Sequence, residues 1–182
     1  LGYVIGWVPF LNCKIWLDSH PLIPRPETGY WTEKAIEKIK VRCETPYFGG
    51  EVLSVLDLCA GSGCIGIAVA KAIPSARVTF AELKTTHIHT IARNLSENIP
   101  KYSNQPEYYP LYQSDLFENI EDSFDFILTN PPYIDPALDR TDISVTAHEP
   151  HEALYGGTHG TKFIEQIIQE APNHLNENGE LW

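Results

Sequence analysis

Four consecutive residues, Asn130-Pro131-Pro132-Tyr133, have the groups needed to hold a planar ligand that carries an NH2. The two prolines have no N–H, so the backbone after the asparagine offers carbonyl acceptors and few donors. The asparagine adds a side-chain carbonyl, and the tyrosine adds a flat aromatic face. The acceptors would hold the amino hydrogens while the ring stacks on the plane of the ligand. An ordinary strand-ending turn would use the same residues.

The Asn-Pro-Pro-Tyr segment follows the apolar run Phe126-Ile127-Leu128, which is short enough to be a buried parallel strand. Prolines cannot continue a central strand, so this strand must end at Asn130. We therefore expect the four residues at the carboxyl end of a strand.

A second buried strand, predicted at 52–58, runs into the loop Cys59-Ala60-Gly61-Ser62-Gly63 and a small-residue helix at 65–73. Strand, glycine loop and helix are typical of the first unit of a Rossmann-like fold, where glycines let the backbone approach a ligand. The spacing differs from that of a phosphate-binding loop, and no Gly-Lys-Ser/Thr follows. This argues against a nucleoside triphosphate.

Two acidic positions are placed to meet a bound nucleoside. Glu82 ends the strand predicted at 77–81 and lies 21 positions after Gly61, close to the ~20-residue offset at which an acidic residue binds a ribose. Asp115 and Leu116 follow a third strand, predicted at 108–113, where an adenine could contact both. A helix cap followed by core apolar residues explains Asp115 and Leu116 equally well.

The remaining segments should position these residues. Apolar alternation over 11–17, with Pro9 breaking the segment before it, predicts a hairpin. A stiff proline-rich loop at 21–28 should pre-order Arg25 and Glu27, with Thr28 capping the next helix. A loop is predicted at 43–51. A helix at 86–98 should carry His87 and His89 on the surface.

A long irregular stretch is predicted at 134–160, and loops of this length in a compact domain are usually functional. It contains His148-Glu149-Pro150-His151, but no matching cysteine or aspartate cluster accompanies them, so we predict no metal site. A helix at 161–175, a turn at Asn178-Gly179 and a fifth strand follow.

Composition bounds the class of protein. The 182 residues, 43% hydrophobic and 20% charged, predict one globular domain. No apolar run approaches a membrane span, and four cysteines without a CxxC pair indicate reduced thiols. A net charge of −11 argues against tight binding to a phosphate backbone but suits a basic protein partner. Leu at position 1 and the absence of Met suggest a piece of a longer chain.

These motifs resemble the HemK/PrmC family, the release-factor glutamine N5-methyltransferases. The resemblance covers nearly the whole chain and rests on residues 22–28, 57–63, 113–117 and 130–134, with Glu149-Pro150 followed by Ala153-Leu154. Asn-Pro-Pro-Tyr also occurs in adenine methyltransferases, so the Pro-Arg-Pro-Glu-Thr and Glu-Pro motifs are the specific part. Gly29 replaces a usual acidic residue, and Leu116 replaces a frequent Trp.

The resemblance implies an α/β fold: a Rossmann-like, class I S-adenosylmethionine-dependent methyltransferase sheet, truncated at both ends and preceded by a β-hairpin. Residues 1–27 would form the hairpin and proline-rich connector, and 28–182 a catalytic domain incomplete at its C-terminus. It implies the cytoplasm of a bacterium, or mitochondria in a eukaryote. The expected cofactor contacts are Cys59, Ala60, Gly61, Ser62, Gly63, Glu82, Asp115, Leu116 and Asn130.

The implied substrate is the glutamine of the Gly-Gly-Gln loop of a peptide-chain release factor, held by Asn130, Pro131, Pro132 and Tyr133. An amide nitrogen is a poor nucleophile because its lone pair is delocalised. Acceptance of both N–H hydrogens by the Asn130 side chain and the Pro131 carbonyl should return density to the nitrogen, with Tyr133 fixing its plane. Asn130, Pro131 and Tyr133 are therefore the predicted catalytic residues.

Two alternatives stay open from the sequence. An adenine N6-methyltransferase of DNA or RNA would share the motif but should show a basic groove, which the −11 charge disfavours. An inactive cofactor-binding subunit that stabilises a partner would not need Asn130 and Tyr133 intact. We expect no membrane and no direct nucleic-acid binding.

Overall fold

A five-stranded parallel sheet in the order β5-β4-β3-β6-β7 lies at the centre of the computed structural model, which describes residues 1–44, 52–138 and 142–182. Most of the loop predicted at 43–51 lies outside these residues, as do residues 139–141. The strands of the sheet are β3 (Ser54–Leu58), β4 (Arg77–Glu82), β5 (Leu111–Gln113), β6 (Phe124–Thr129) and β7 (Leu175–Leu181).

Helices cover both faces of this sheet, which explains why the central strands are almost continuously apolar. One core cluster joins the sheet to α2 (Pro26–Cys43), α3 (Cys64–Ala72) and α4 (Thr85–Asn98). A second cluster, on the other face, includes Ile167 of α6 (Lys162–Glu170), which follows the one-turn helix α5 (Ile143–Thr146) in sequence. No helix in the described ranges combines the length and apolarity needed to cross a membrane.

Strand order creates a crevice at one edge of the sheet. The chain begins the sheet at β3, adds β4 and β5 on one side, and then returns to place β6 on the other side of β3. In parallel α/β sheets such a reversal leaves an opening beyond the carboxyl ends of the strands, where ligands bind. Cys59 and Asn130 follow the two strands that flank this opening.

The predicted hairpin is present as β1 (Trp7–Phe10) and β2 (Cys13–Trp16), after a one-turn helix α1 (Gly2–Ile5) that the sequence pattern did not indicate. The prediction that Pro9 breaks the first strand was wrong. This proline pairs with Lys14 inside β1, because an edge strand tolerates a residue without N–H.

Two asparagines attach the hairpin to α4. Asn94 accepts from the Trp16 N–H at 2.7 Å and donates to the Trp16 carbonyl at 3.0 Å. One turn later, Asn98 makes the same pair of bonds with Lys14. Asn94 also donates to the carbonyl of Ser62 in the glycine loop. Because an amide side chain can both donate and accept, it satisfies a strand edge as another strand would.

Helix α2 begins two residues earlier than the predicted cap at Thr28. Arg25 is extended at the N-cap, and Pro26 occupies the first turn, where its fixed φ and missing N–H are tolerated. Thr28 is instead buried within the helix, and its carbonyl accepts from the Thr32 hydroxyl at 2.7 Å.

The ends of the chain's last elements also differ from the prediction. The α-helix ends at Glu170, and a short 3-10 turn over Ala171–Asn173 leads directly into β7. Leu175 therefore begins a strand instead of ending a helix. Asn178 and Gly179 lie inside β7, where the register with β6 shifts between Phe124 and Phe126. An irregularity within a strand uses the same residue types as a turn.

Candidate active site

A cavity lies at the carboxyl ends of β3, β4, β5 and β6, and we call it the sheet-edge pocket. Each of the four strands contributes the residues that follow it in sequence. The lining includes Cys59, Ala60, Gly61, Ser62, Glu82, Leu83, Lys84, Asp115, Leu116, Asn130 and Pro132. Side chains from elsewhere complete it, among them Leu22, Thr28, His87, Glu152, Ala153 and Phe163.

Glu82 is fixed at the end of β4 by backbone donors. One carboxylate oxygen accepts from the Gly61 N–H at 2.7 Å, and the other accepts from the Lys84 N–H at 3.0 Å. The side chain is nearly buried yet lines the sheet-edge pocket. Each carboxylate oxygen can accept more than one hydrogen bond. The carboxylate is therefore held in one orientation with acceptor capacity left for a ligand.

Two non-glycine residues in the left-handed region border the same pocket. Cys59, directly after β3, has φ +58°, and Leu116, after β5, has φ +47°. Such conformations cost of order 1–3 kcal/mol and concentrate at functional sites. Burial raises the pKa of the Cys59 thiol to about 12. The thiol therefore stays protonated at neutral pH, which argues against a role as a nucleophile.

The charge of the sheet-edge pocket is negative. Its lining contains the carboxylates Glu82, Asp115 and Glu152 but a single ammonium group, Lys84, which pairs with Glu152. That lysine holds the pKa of the Glu152 carboxyl below its usual value. Burial lowers the pKa of His87, so this residue adds no positive charge at neutral pH. Such a pocket favours a cationic ligand over a phosphate.

His87 corrects a prediction. It was expected on the surface, but its side chain is buried, and its Nδ1 lies 2.7 Å from the Ser19 hydroxyl. His89 is exposed as predicted. His87 and His89, two positions apart on α4, do face different ways. The prediction for His87 was wrong because its partner, Ser19 in the segment after the hairpin, lies 68 positions away in sequence.

A second cavity, which we call the side pocket, adjoins the first. It is lined by Leu22, Arg25, Asn130, Pro131, Tyr133, Ile134, Val145, Ala153 and Leu154. Three irregular segments therefore form its walls: the proline-rich loop, the residues after β6, and the stretch around 145–154. Leu22, Asn130 and Ala153 line both cavities.

Backbone contacts hold the segment after β6 in place. Ile134 donates to the Leu154 carbonyl and accepts from the Gly156 N–H, both at 2.9 Å. Gly160 has φ +71°, and a Cβ there would lie 2.1 Å from the Tyr133 carbonyl oxygen. Only glycine fits at that position, because both the conformation and the approach exclude a side chain. The packing fixes the backbone of Tyr133.

The side-chain amide of Asn130 is not used by the part of the chain that the structure describes. It lies directly after β6, partly exposed and in the lining of both cavities. Among residues 1–44, 52–138 and 142–182, none hydrogen-bonds its side-chain amide. A partly buried amide without a protein partner is a natural place for a ligand's hydrogen bonds. Pro131 and Pro132 add no N–H that would compete.

The predicted site residues lie together at the carboxyl ends of the strands, but they do not all line the same cavity. Of the predicted cofactor contacts, all except Gly63 line the sheet-edge pocket; Gly63 caps α3, and a Cβ there would meet Ile91. Of the predicted substrate contacts, Asn130, Pro131 and Tyr133 line the side pocket, whereas Pro132 lines the sheet-edge pocket. Their functional roles stay predictions.

An ion pair that the sequence analysis missed joins two of its motifs. Arg25 Nη2 lies 2.5 Å from Glu149 Oε1, and the Ile23 N–H donates to Glu149 Oε2 at 3.1 Å. The Pro-Arg-Pro-Glu-Thr and Glu-Pro motifs therefore meet in space, although these partners are 124 positions apart. The stiffness of the proline-rich loop was the available signal in the sequence for a fixed Arg25, but it did not identify Glu149 as the partner. Glu27, which the proline-rich loop was expected to pre-order together with Arg25, lies in the first turn of α2 and is exposed.

The His148-Glu149-Pro150-His151 segment is occupied by protein contacts. Glu149 pairs with Arg25, and His151 Nε2 lies 3.0 Å from the Thr146 carbonyl. Within the part of the chain that the structure describes, no group of three or more His, Cys, Asp or Glu side chains is placed to hold a metal ion. The four cysteines, all within that part, are free.

Known proteins share this sequence pattern and this fold. Residues 47–148 match the family described as the methyltransferase small domain. The chain is 34% identical over 183 residues to a protein of Lactococcus lactis named release factor glutamine methyltransferase, with 99% of this chain and 61% of the relative covered. A protein of the same name from Rhodopirellula baltica is 35% identical over 187 residues, with 100% and 59% covered. These relatives confirm the predicted resemblance.

The chain spans about 60% of the length of these curated relatives. Among solved structures, a methyltransferase from Pyrococcus furiosus has a TM-score of 0.57 at 17% identity, covering 99% of this chain and 72% of its own. The hMettl16 catalytic domain in complex with MAT2A 3'UTR hairpin 6 has a TM-score of 0.60 at 15% identity, covering 90% and 59%. At such identities the likeness concerns the fold alone, and it confirms the predicted Rossmann-like methyltransferase fold with an N-terminal hairpin. With its glycine loop, sheet and Asn-Pro-Pro-Tyr segment in this arrangement, the chain belongs to the methyltransferase small domain family.

Proposed function

We propose that this chain transfers a methyl group from S-adenosylmethionine to the side-chain amide nitrogen of a glutamine in a protein. The observation that carries the proposal is the side-chain amide of Asn130, which no described residue engages and which lies between two adjoining cavities. One cavity would take the cofactor, and the other would take the glutamine side chain. The relatives named release factor glutamine methyltransferase support this assignment.

The sheet-edge pocket fits the proposed cofactor in charge and shape. Its excess of carboxylates suits a sulfonium, and the fixed Glu82 carboxylate can accept from ribose hydroxyls. Leu116 offers an apolar face beside Asp115, the combination expected for an adenine. The backbone of Cys59 to Ser62 forms one wall of the pocket. Gly63 follows these residues as the N-cap of α3. When bound, the cofactor supplies an electrophilic methyl group on a positively charged sulfur.

The residues of the side pocket would activate the glutamine nitrogen by accepting its hydrogens. The Asn130 side-chain oxygen accepts one N–H, and the Pro131 carbonyl accepts the other. Both acceptors draw the lone pair away from the amide carbonyl and onto nitrogen. Transfer would form the nitrogen–methyl bond as the sulfur–methyl bond breaks; the sulfonium would leave as a neutral thioether, and the surplus proton would pass from nitrogen to solvent. Positioning and electrostatics supply the acceleration, without a side-chain nucleophile.

Tyr133 would hold the plane of the amide. Its ring is exposed, but its backbone is fixed by the close approach of Gly160. A ring with a fixed base and an open face can stack on a planar ligand without first losing protein contacts. The backbone of Tyr133 at the side pocket is therefore fixed before the substrate binds, whereas its ring can adjust to the substrate.

The proposed substrate is a peptide-chain release factor, methylated at the glutamine of its Gly-Gly-Gln loop. That reaction belongs where proteins are synthesised, so we place it in the bacterial cytoplasm, or in mitochondria if the source is a eukaryote. Methylation there would act on translation termination. The relatives that carry this name are bacterial.

Replacement of Asn130 tests the proposal. Asn130→Ala should lower the single-turnover methylation rate roughly 100- to 1000-fold, the usual cost of losing one preorganised group. Cofactor affinity should change little, because most of the sheet-edge pocket stays intact. Asn104→Ala, at an exposed asparagine in the turn after α4, is the matched control and should behave as wild type.

Melting temperature separates this result from a structural role. If Asn130 only terminates β6, the substitution lowers the melting temperature and leaves the rate per folded molecule intact. A folded Asn130→Ala protein with near-normal single-turnover methylation would contradict the proposed mechanism.

A further inference from the structure

We infer that Arg25 is a further substrate-binding residue, which donates to a main-chain carbonyl of the substrate polypeptide beside the glutamine. The inference rests on the proposed function and extends it to the residues that flank the modified side chain. It identifies the substrate as an extended polypeptide that continues past Arg25 into a third cavity on the outer surface.

Arg25 lies where two cavities meet. It lines the side pocket together with Asn130 and Tyr133. It also lines a cavity between the hairpin and the start of α2, which we call the outer groove, formed with Phe10, Pro24, Pro26, Tyr30 and Glu33 among others. Asn130 is therefore common to the sheet-edge pocket and the side pocket, and Arg25 is common to the side pocket and the outer groove.

The guanidinium of Arg25 is held from behind. Its Nη2 pairs at 2.5 Å with Glu149, whose side chain is only 4% exposed, and the Ile23 N–H fixes the other carboxylate oxygen. Pro24 and Pro26 stiffen the backbone on both sides. A buried carboxylate with two donors sets the position of the guanidinium before any substrate binds.

Most donors of Arg25 remain available. A guanidinium has five N–H groups, and in the described ranges only the contact with Glu149 engages one. The side chain is 33% exposed, and the exposed part borders both cavities. These donors can meet an acceptor that passes from one cavity to the other.

The local charge selects the type of acceptor. Glu149 balances the charge of Arg25, and Glu33 at the outer groove adds a negative charge. A phosphate would therefore meet little net attraction, whereas a neutral carbonyl needs only the directed N–H groups. A polypeptide main chain presents such a carbonyl at every residue. The geometry thus favours a peptide over a nucleic-acid backbone.

The outer groove offers a surface for the flanking residues. Tyr30 is 68% exposed at the start of α2, opposite the prolines and Phe10. Exposed tyrosines contribute large, rigid contact areas in interfaces at small entropic cost. The groove shares Arg25 with the side pocket, so a chain bound by its glutamine and by Arg25 would reach it.

Two peptides and three variants of the full chain test the inference. One peptide is a capped Gly-Gly-Gln, and the other has the same tripeptide within a long release-factor sequence. Tyr30→Ala removes the groove contact. The paired variant Arg25→Gln with Glu149→Gln removes the guanidinium without leaving a buried charge alone. Val41→Ala is the control, at a 62% exposed position on the same helix outside the groove.

Tyr30→Ala should raise KM for the long peptide roughly fivefold or more and leave KM for the tripeptide unchanged. The paired variant should raise KM for both peptides roughly 10- to 100-fold, the range for a hydrogen bond to a charged group. Cofactor affinity by calorimetry should stay at the wild-type value in each. Val41→Ala should match the wild type throughout.

The wild type must first methylate both peptides. The inference is then overturned if KM for both peptides stays unchanged in Tyr30→Ala and in the folded paired variant. Methylation of neither peptide by the wild type overturns the proposed function and this inference together. An equal rise for both peptides in Tyr30→Ala also contradicts the assigned path of the chain, because the tripeptide does not reach the outer groove.

Discussion

Asn130 and Glu82 are held in opposite ways, although both end strands of the sheet and both line the sheet-edge pocket. Glu82 is fixed by two backbone N–H groups, whereas no described residue engages the side-chain amide of Asn130. A fixed carboxylate suits a contact that should be the same before and after the reaction. A free amide suits contacts that change as the reaction proceeds.

Glu82→Ala should weaken cofactor binding by roughly 2–3 kcal/mol, the upper range for hydrogen bonds to a charged group. It also releases the Gly61 and Lys84 N–H groups, so the melting temperature should fall modestly. Isothermal calorimetry measures the affinity. Glu121→Ala, at an exposed acid away from the pocket, is the control for lost charge and should bind as the wild type. Unchanged affinity in Glu82→Ala would remove this residue from the cofactor site.

Single residues were predictable where their neighbours in sequence decide their environment. Strand ends and the glycine loop identified Cys59, Glu82 and Asn130, because the carboxyl ends of parallel strands meet at one edge. The environments of His87 and Arg25 were not predictable in this way. Their partners, Ser19 and Glu149, are distant in sequence, and only the folded chain brings them together.

At the scale of elements, the segment after β6 depends on glycines that follow it. Gly160→Ala adds a Cβ 2.1 Å from the Tyr133 carbonyl oxygen, so the backbone of Tyr133 must move. We expect a large loss of methylation rate. Gly157→Ala is the control: it also has a positive φ, +77°, but its Cβ would meet only the Lys162 side chain, at 3.3 Å.

Both glycine variants should lose about 1–3 kcal/mol of stability from the positive φ, and Gly160→Ala should lose more because its Cβ overlaps the Tyr133 backbone. Only Gly160→Ala should also lose methylation rate per folded molecule. Thermal unfolding and methylation rate, measured on the same preparations, make the comparison. Equal activity in the two variants would show that the position of Tyr133 does not matter for the reaction.

The glycine loop and α3 depend on a buried carboxyl group. Asp57 of β3 accepts from the Gly66 N–H at 2.8 Å, but its Oδ1 has no partner among the described residues. Burial raises the pKa of Asp57 well above its usual value. Between the usual and the raised pKa, the folded state holds more protons than the unfolded state, so stability falls as pH rises.

Asp57→Asn should remove this pH dependence while keeping an acceptor for Gly66. The variant should match the wild type near pH 4 and be the more stable protein at neutral and higher pH. Each 1 kcal/mol corresponds to about 2–4 °C in melting temperature for a chain of this size. Melting temperatures measured across this pH range test it; a gain that is independent of pH would contradict a titration of Asp57.

Element types were predictable from periodicity, and element boundaries less so. Apolar runs identified the sheet strands because strands buried on both faces must be apolar throughout. Thr28 and Leu175 were misplaced because a proline at a helix start and a 3-10 turn at a helix end shift boundaries by a few residues. The division of the chain at residue 27 stays a prediction. The helix α2 begins at Pro26, on the N-terminal side of this boundary.

At the scale of the whole molecule, charge separates the two substrate classes that share Asn-Pro-Pro-Tyr. The chain carries 24 acidic residues against 13 lysines and arginines. A protein that binds a phosphate backbone releases counterions, so its affinity falls steeply with salt. An acidic protein has few cations to supply that effect.

We therefore expect weak binding to single- and double-stranded DNA, with little dependence on salt. Fluorescence anisotropy of labelled oligonucleotides at about 50 mM and about 200 mM salt tests this expectation. Tight association that weakens sharply over this range would support a nucleic-acid substrate instead.

The most direct test of the proposed function is the chemical position of the transferred methyl group. The full chain is incubated with labelled S-adenosylmethionine and either a release factor or DNA, and the products are mapped by fragmentation mass spectrometry. We predict label on the side-chain nitrogen of the Gly-Gly-Gln glutamine, and none in a release factor with that glutamine replaced by glutamate. Label on an adenine amino group, or cofactor binding without methyl transfer to either substrate, would contradict glutamine methylation by this chain.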